Sequence, residues 1–280
     1  MEQLRERLST RFGYQLVVFD VILRCGRASS AKYSLSELTL TYVDTAAGYG
    51  NESGVGRAVV ASGLPREDVF VTTKLWNADQ GYESAPAACD SSLQKLGPDY
   101  IDLYLIHFPA PTRLAYTDTW RALEKLYREG LIRAIGVSNF KFPFLDRLLR
   151  TTEIVPAVHQ IEVHPTYQQA ELDQLSRDHG IVVEAYSPLG RAADLAEPQI
   201  GAIAEAHGVT PAQVISAGTC RLAGSLFRSL LRPSGSQTIS TWPDSFSAMM
   251  KWLRSLASSV AFAPAKMSRP STEQRVPNKE

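Results

Sequence analysis

Between Tyr42 and Gly208 the chain alternates short β-branched runs with stretches of helical period, and this alternation constrains the fold more than any other feature. Val69–Lys74, Ile101–His107, Ile132–Val137, Val158–Val163 and Ile181–Tyr186 read as strands. Between them, Trp120, Leu123, Leu126 and Tyr127 form one apolar helical face closed by Gly130, and Leu172 and Leu175 begin another closed by Gly180. Thr210 and Pro211 have the pattern of an N-cap followed by proline at the first helical position. Repeated strand–helix units imply parallel strands joined by crossover helices, which fits a barrel or a doubly wound sheet. No glycine-rich dinucleotide turn follows a strand: Gly48-Tyr-Gly50 and Gly54-Val-Gly56 lack its spacing. The expected class is therefore α/β, a (β/α)8 TIM barrel, with its chemistry at the C-terminal strand ends.

Composition supports one such domain and excludes several functions. A chain of 280 residues with 44% hydrophobic and 21% charged residues can build a single barrel core. Neither a long apolar span nor a basic-then-apolar leader is visible, so no membrane and a cytoplasmic location are expected. Cys25, Cys89 and Cys220 are scattered, so no disulfide framework and no metal site are expected. The net charge of zero hides an asymmetry: residues 216–280 carry nine Lys or Arg against three Asp or Glu. Those basic residues are dispersed and lack interleaved aromatics, which argues against nucleic acid as a partner. A monomer is expected.

Polar residues collect at the strand ends: Asp44 with Tyr49, Lys74, His107, Ser138 with Asn139, Gln160, and Tyr186. Each alone has an ordinary explanation, such as a solvated lysine, a structural histidine or a capping aspartate. Together they match the needs of carbonyl reduction, a hydride for carbon and a proton for oxygen. A phenol can give that proton, although at its ordinary pKa of about 10 it does so reluctantly. A nearby ammonium stabilises the phenolate, a carboxylate can hold the ammonium, and a histidine can orient the oxygen. Tyr49, Lys74, Asp44 and His107 fit those four catalytic roles.

The surrounding motifs resemble those of the aldo-keto reductase family, bacterial type, and are similar to the 2,5-diketo-gluconate reductases. The resemblance rests on Tyr42-Val-Asp-Thr-Ala-Ala-Gly-Tyr-Gly-Asn-Glu52, Val71-Thr-Thr-Lys-Leu-Trp-Asn77, Leu96-Gly-Pro-Asp-Tyr-Ile-Asp-Leu-Tyr-Leu-Ile-His-Phe-Pro109, Gly136-Val-Ser-Asn-Phe140, Gln160-Ile-Glu-Val-His-Pro165 and Tyr186-Ser-Pro-Leu-Gly190. It implies an NADPH (NADP) cofactor, with Ser138, Asn139 and Gln160 bonding the carboxamide and Tyr186 stacked on the nicotinamide. Ser187 and Leu189 would meet the pyrophosphate, and Trp76 and Phe108 would line the substrate mouth. His159 stands where the family often has Asn. The short loops at Phe108–Pro111 and Pro188–Ala196 resemble reductases of small carbonyls and keto-sugars. The implied reaction is NAD(P)H-dependent reduction of an aldehyde or ketone to an alcohol.

The resemblance stops at the ends. The family's eighth strand carries Pro-Lys-Ser, then an Arg and Asn that grip the adenosine 2′-phosphate; residues 216–280 do not carry this motif. Permitted codons can be chosen for Phe227–Trp242 so that a one-base offset spells Pro-Lys-Ser-Val-Ala-Ser-Glu-Arg-Ile-Ala-Asp-Asn-Leu-Asp-Val. The expectation is a barrel over 1–215, with an atypical N-terminus at 1–41, and a tail over 216–280 translated out of frame and disordered. The same offset over Ile22–Leu40 yields a plausible helix. The barrel would be incomplete or distorted at its first and eighth strands, leaving edges open between them. The alternative function is a catalytically impaired remnant unable to bind cofactor tightly. A channel-associated regulatory subunit of the same fold lacks any extra binding segment to support it.

Overall fold

The structure is a computed structural model that describes residues 16–17, 42–110, 115–223 and 225–227. Its strands are β1 (Leu16–Val17), β2 (Tyr42–Asp44), β3 (Phe70–Leu75), β4 (Leu103–Ile106), β5 (Ile135–Ser138), β6 (Val158–Glu162), β7 (Val182–Tyr186) and β8 (Ser225–Phe227). All pair in parallel, in the order β1-β8-β7-β6-β5-β4-β3-β2. The crossovers carry α1 (Glu52–Ala61), α2 (Ser84–Leu96), α3 (Tyr116–Arg128), α4 (Phe142–Leu149), α5 (Ala170–Asp178), α6 (Pro198–His207) and α7 (Pro211–Ala223). This is an incomplete (β/α)8 barrel.

The first and eighth strands are short, as expected, but the open edge is not between them. Leu16 pairs with Leu226 and Val17 with Phe227. Among the described residues the seam lies instead between β1 and β2, which no ladder joins. The segments 18–41 and 228–280, including the helix expected at Ile22–Leu40 and nearly all of the out-of-frame motif, lie outside the described residues.

The expected strands form within three residues of their predicted limits, because alternate side chains serve two different cores. Outward positions such as Val43, Val71, Tyr104, Ile106, Val137, Ile161 and Val183 pack against helix residues including Val55, Cys89, Trp120, Leu123 and Leu172. Inward positions begin with an apolar floor of Phe70, Leu103, Leu105 and Val158. Gly136 belongs to that floor: a Cβ there would lie 2.5 Å from the Val158 carbonyl oxygen and 2.7 Å from Leu105 Cδ2. Leu105 fills the space that the missing side chain leaves. Above the floor the inward side chains turn polar, and this change in character positions the site.

Local signals end the helices where the sequence predicts. Gly130 and Gly180, two residues beyond α3 and α5, take left-handed backbone with φ of 83° and 68°. At the start of α7, the Thr210 amide donates to Gln213 Oε1 at 2.8 Å and the Gln213 amide donates to Thr210 Oγ1 at 3.3 Å. That reciprocal pair is a capping box, so two otherwise unpaired amides are satisfied. The helix then runs through the boundary expected at 215/216, with Val214, Ile215, Ser216, Ala217 and Thr219 buried.

Candidate active site

Lys74 projects from the end of β3 into the barrel and is only 1% exposed. Its ammonium donates to Asp44 Oδ1 at 2.5 Å, from the neighbouring end of β2, and to the Thr45 carbonyl oxygen at 3.0 Å. Burial alone would lower the Lys74 pKa, but Asp44, Tyr49 and Glu184 together outweigh it and hold Lys74 above the ordinary lysine value. The group is therefore a fixed cation. Its nitrogen lies 5.2 Å from the centroid of the Tyr49 ring.

Tyr49 follows β2 in the turn Ala47–Tyr49 and is 43% exposed, with one side toward solvent and the other toward Lys74 and His107. Its ring meets the His107 ring edge-on at 5.5 Å. His107 closes β4, buried, with its Nδ1 lacking a hydrogen-bond partner among the described residues. Burial and, next, the Lys74 cation push its pKa down to about 3. His107 is thus a neutral imidazole across the working pH range, able to donate a hydrogen bond but holding no acidic proton for catalysis. Trp76 packs edge-on to it at 5.3 Å and Phe108 stacks on it at 4.9 Å. Both aromatics are partly exposed and wall the mouth. Gly48 makes room for this wall, since a Cβ there would collide with the Trp76 ring.

A second group stands on β5, β6 and β7. Asn139 donates from Nδ2 to Ser138 Oγ and to the His107 carbonyl oxygen, each at 3.0 Å, and accepts the Tyr186 hydroxyl at 2.6 Å. Gln160 Nε2 reaches Asp44 Oδ2 at 3.0 Å. The two groups are therefore joined twice, through Asn139 and through Gln160. Burial and then Glu162 raise the Tyr186 hydroxyl to about 12, so it keeps its proton as the donor to Asn139. Ser187 and Leu189 lie in the loop after β7. Ser187 has φ of 50°, its carbonyl accepts the Gly190 amide at 2.9 Å, and Leu189 packs its side chain against the Ile200 cluster. Asp194 anchors this loop by accepting Thr166 Oγ1 at 2.7 Å and His164 Nδ1 at 2.8 Å.

The structure thus brings together Asp44, Tyr49, Lys74, His107, Trp76, Phe108, Ser138, Asn139, Gln160 and Tyr186. His159 is not among them: it points outward, buried, with Nδ1 3.1 Å from Ser176 Oγ. Sequence reading missed Glu184 and Tyr42, which meet below the site, the Tyr42 hydroxyl donating to Glu184 Oε1 at 3.1 Å. The signal for Glu184 was a charged residue in an apolar strand, two positions before Tyr186 and hence on the same face. Among the described residues no group of three or more His, Cys, Asp or Glu is placed to hold a metal, and no helix is long and apolar enough to cross a membrane.

Residues 30–217 match the family model described as the Aldo/keto reductase family. An aldo-keto reductase of Mycolicibacterium smegmatis is 54% identical over 174 residues, which span 62% of this chain and 63% of that protein's length. Among solved structures, a mutant of Gox0644 in complex with NADPH superposes with a TM-score of 0.66 at 36% identity, covering 79% of this chain and 80% of that one. A putative 2,5-diketo-D-gluconic acid reductase B superposes with a TM-score of 0.68 at 29% identity, covering 84% and 83%.

Proposed function

We propose that this chain, which belongs to the aldo/keto reductase family, reduces an aldehyde or ketone to an alcohol, with Tyr49 as the proton donor. The carrying observation is the contrast among the three candidate proton sources around Lys74. His107 sits near 3 and has no acidic proton to give; Tyr186 sits near 12 and donates to Asn139. Tyr49 alone combines solvent access with the Lys74 cation at its ring. Lys74 offsets negative charge on the phenol oxygen, Asp44 keeps Lys74 in place, and His107 orients the carbonyl oxygen. Trp76 and Phe108 wall the substrate mouth, and the short loops read at Phe108–Pro111 and Pro188–Ala196 suit a small carbonyl or keto-sugar.

The residues on β5 to β7 suit a nicotinamide cofactor. The Ser138 hydroxyl and the Asn139 and Gln160 amides complement a carboxamide, and Tyr186 offers a flat face beside them. Asn139 and Ser187 hold non-glycine left-handed backbone, φ 63° and 50°, of the kind retained where a ligand is gripped. The loop through Ser187 and Leu189 would hold the pyrophosphate; when bound, the cofactor supplies the hydride. NADPH is favoured over NADH by the neighbour solved with NADPH. A monomer in the cytoplasm completes this reading.

The test is NADPH oxidation by the purified full chain against a panel of aldehydes. Tyr49→Phe should lower kcat by about a hundred- to ten-thousand-fold. Unchanged turnover in that variant would remove Tyr49 from its role. A second reading, an impaired remnant, gains support because the family match ends at residue 217. It places the departure from the family near Ile215–Ser216, through a slip of the reading frame, and costs the chain its 2′-phosphate grip. Tryptophan fluorescence separates the two: no quenching at millimolar NADPH favours the remnant, and coding DNA in which no one-base shift restores Pro-Lys-Ser rules out the slip.

A further inference from the structure

Below the tetrad, two carboxylates share the two N–H donors of one amide. Gln160 Nε2 donates to Asp44 Oδ2 and to Glu184 Oε2, both at 3.0 Å. Asp44 has Lys74 as its counter-ion at 2.5 Å; among the described residues Glu184 has no cation at this range, and besides Gln160 it accepts the Tyr42 hydroxyl at 3.1 Å. Among the described side chains, the titratable groups facing Glu184 are Tyr42 and Asp44 from β2 and Lys74 from β3, while Gln160 on β6 is neutral. A second buried negative charge beside Asp44, which already holds the cation, is costly, and this favours the protonated form of Glu184.

We propose that Glu184 is a positioning residue for the tetrad, acting through Gln160 and Asp44 so that its proton sets the negative charge facing Lys74 and, through Lys74, the ease with which Tyr49 gives up its own. This rests on the reading of Tyr49 as the acid. The hydrogen bonds allow both states of Glu184. Tyr42 Oη lies 2.8 Å from Thr72 Oγ1, a contact in which either oxygen can donate. With Glu184 ionised, Tyr42 donates to it and Thr72 donates to Tyr42. With Glu184 protonated, its hydroxyl donates to Tyr42 and Tyr42 donates to Thr72, while Oε2 still accepts from Gln160. No heavy atom needs to move. Burial, then the Asp44 charge, raises the Glu184 pKa to about 8, so the exchange falls in the neutral-to-alkaline range. Above it, the second negative charge strengthens the hold on the Lys74 proton and opposes loss of the Tyr49 proton.

The test reads Tyr49 directly, on cofactor-free full-length protein. Tyrosinate absorbance is titrated with and without Tyr49→Phe, in the wild type and in Glu184→Gln; the difference isolates Tyr49. The midpoint should fall by roughly half a pH unit or more in Glu184→Gln and stay near the wild-type value in Glu184→Asp. An unchanged midpoint in Glu184→Gln overturns the proposal. Should that variant not fold, infrared titration of the wild type decides: a protonated-carboxyl band lost near pH 8 is expected, and its absence overturns the proposal. An inactive enzyme with the expected midpoint shift would defeat the carbonyl-reductase reading and leave the coupling of Glu184 to Tyr49 standing.

Discussion

Replacing Glu184 by Gln should change how stability depends on pH. Gln keeps the shape and most of the hydrogen bonds: its carbonyl can accept from Gln160 and its amide can donate to Tyr42, which then donates to Thr72. What it removes is a titration. Glu184 titrates near 8 in the folded protein and at 4.5 without burial. Between those values the folded chain holds a proton that the unfolded chain does not, so wild-type stability falls as pH rises. The loss is absent below pH 4.5, grows by about 1.4 kcal/mol per pH unit, and is complete above pH 8. The total is on the order of 5 kcal/mol, a large part of a typical domain's stability. Urea unfolding followed by tryptophan fluorescence, at half-unit steps from pH 4.5 to 9, gives both curves. The Glu184→Gln curve should lie increasingly above the wild-type curve toward alkaline pH. Parallel curves would show that Glu184 is ionised throughout, and the electrostatic account of the barrel floor would be wrong.

Two further outcomes follow from packing and burial. Gly136→Ala should destabilise the barrel by about 1–3 kcal/mol, because the added methyl meets the Val158 carbonyl and Leu105; an unchanged melting temperature would contradict that geometry. His159, held near 3 by burial, binds fewer protons folded than unfolded, so its contribution is lost as pH falls from 6.5 toward 3. His159→Asn should flatten the acid limb of the stability curve, and a limb as steep as the wild type's would refute the assignment.

Much of the barrel was legible because its strands carry a period of two and its helices end at glycines. The tetrad was legible because Lys74 and His107 end strands read from the sequence, and Asp44 and Tyr49 sit in a motif that precedes them. Glu184 was not, since its importance comes from partners far away in the chain: Tyr42 is 142 residues distant. Gln160 was read as a cofactor ligand, and the amide also proves to bridge two carboxylates, a role that depends on barrel closure. Ile101 was read as part of a strand; it makes only an isolated bridge to Ile132, because β4 enters its ladder two residues later. The segments beyond the family match, before residue 30 and after residue 217, lie mostly outside the described residues.

The two-faced strands also limit how this protein can change over generations. Val183 and Ala185 pack against helices while Glu184 and Tyr186 face the candidate site. Deleting one residue upstream within β7 would exchange those sets, burying two methyl-bearing side chains in the site and driving a carboxyl and a phenol into the helical layer. Point substitutions can retune the chemistry one side chain at a time, and the loops can lengthen or shorten, but the strands can lose or gain residues only in pairs.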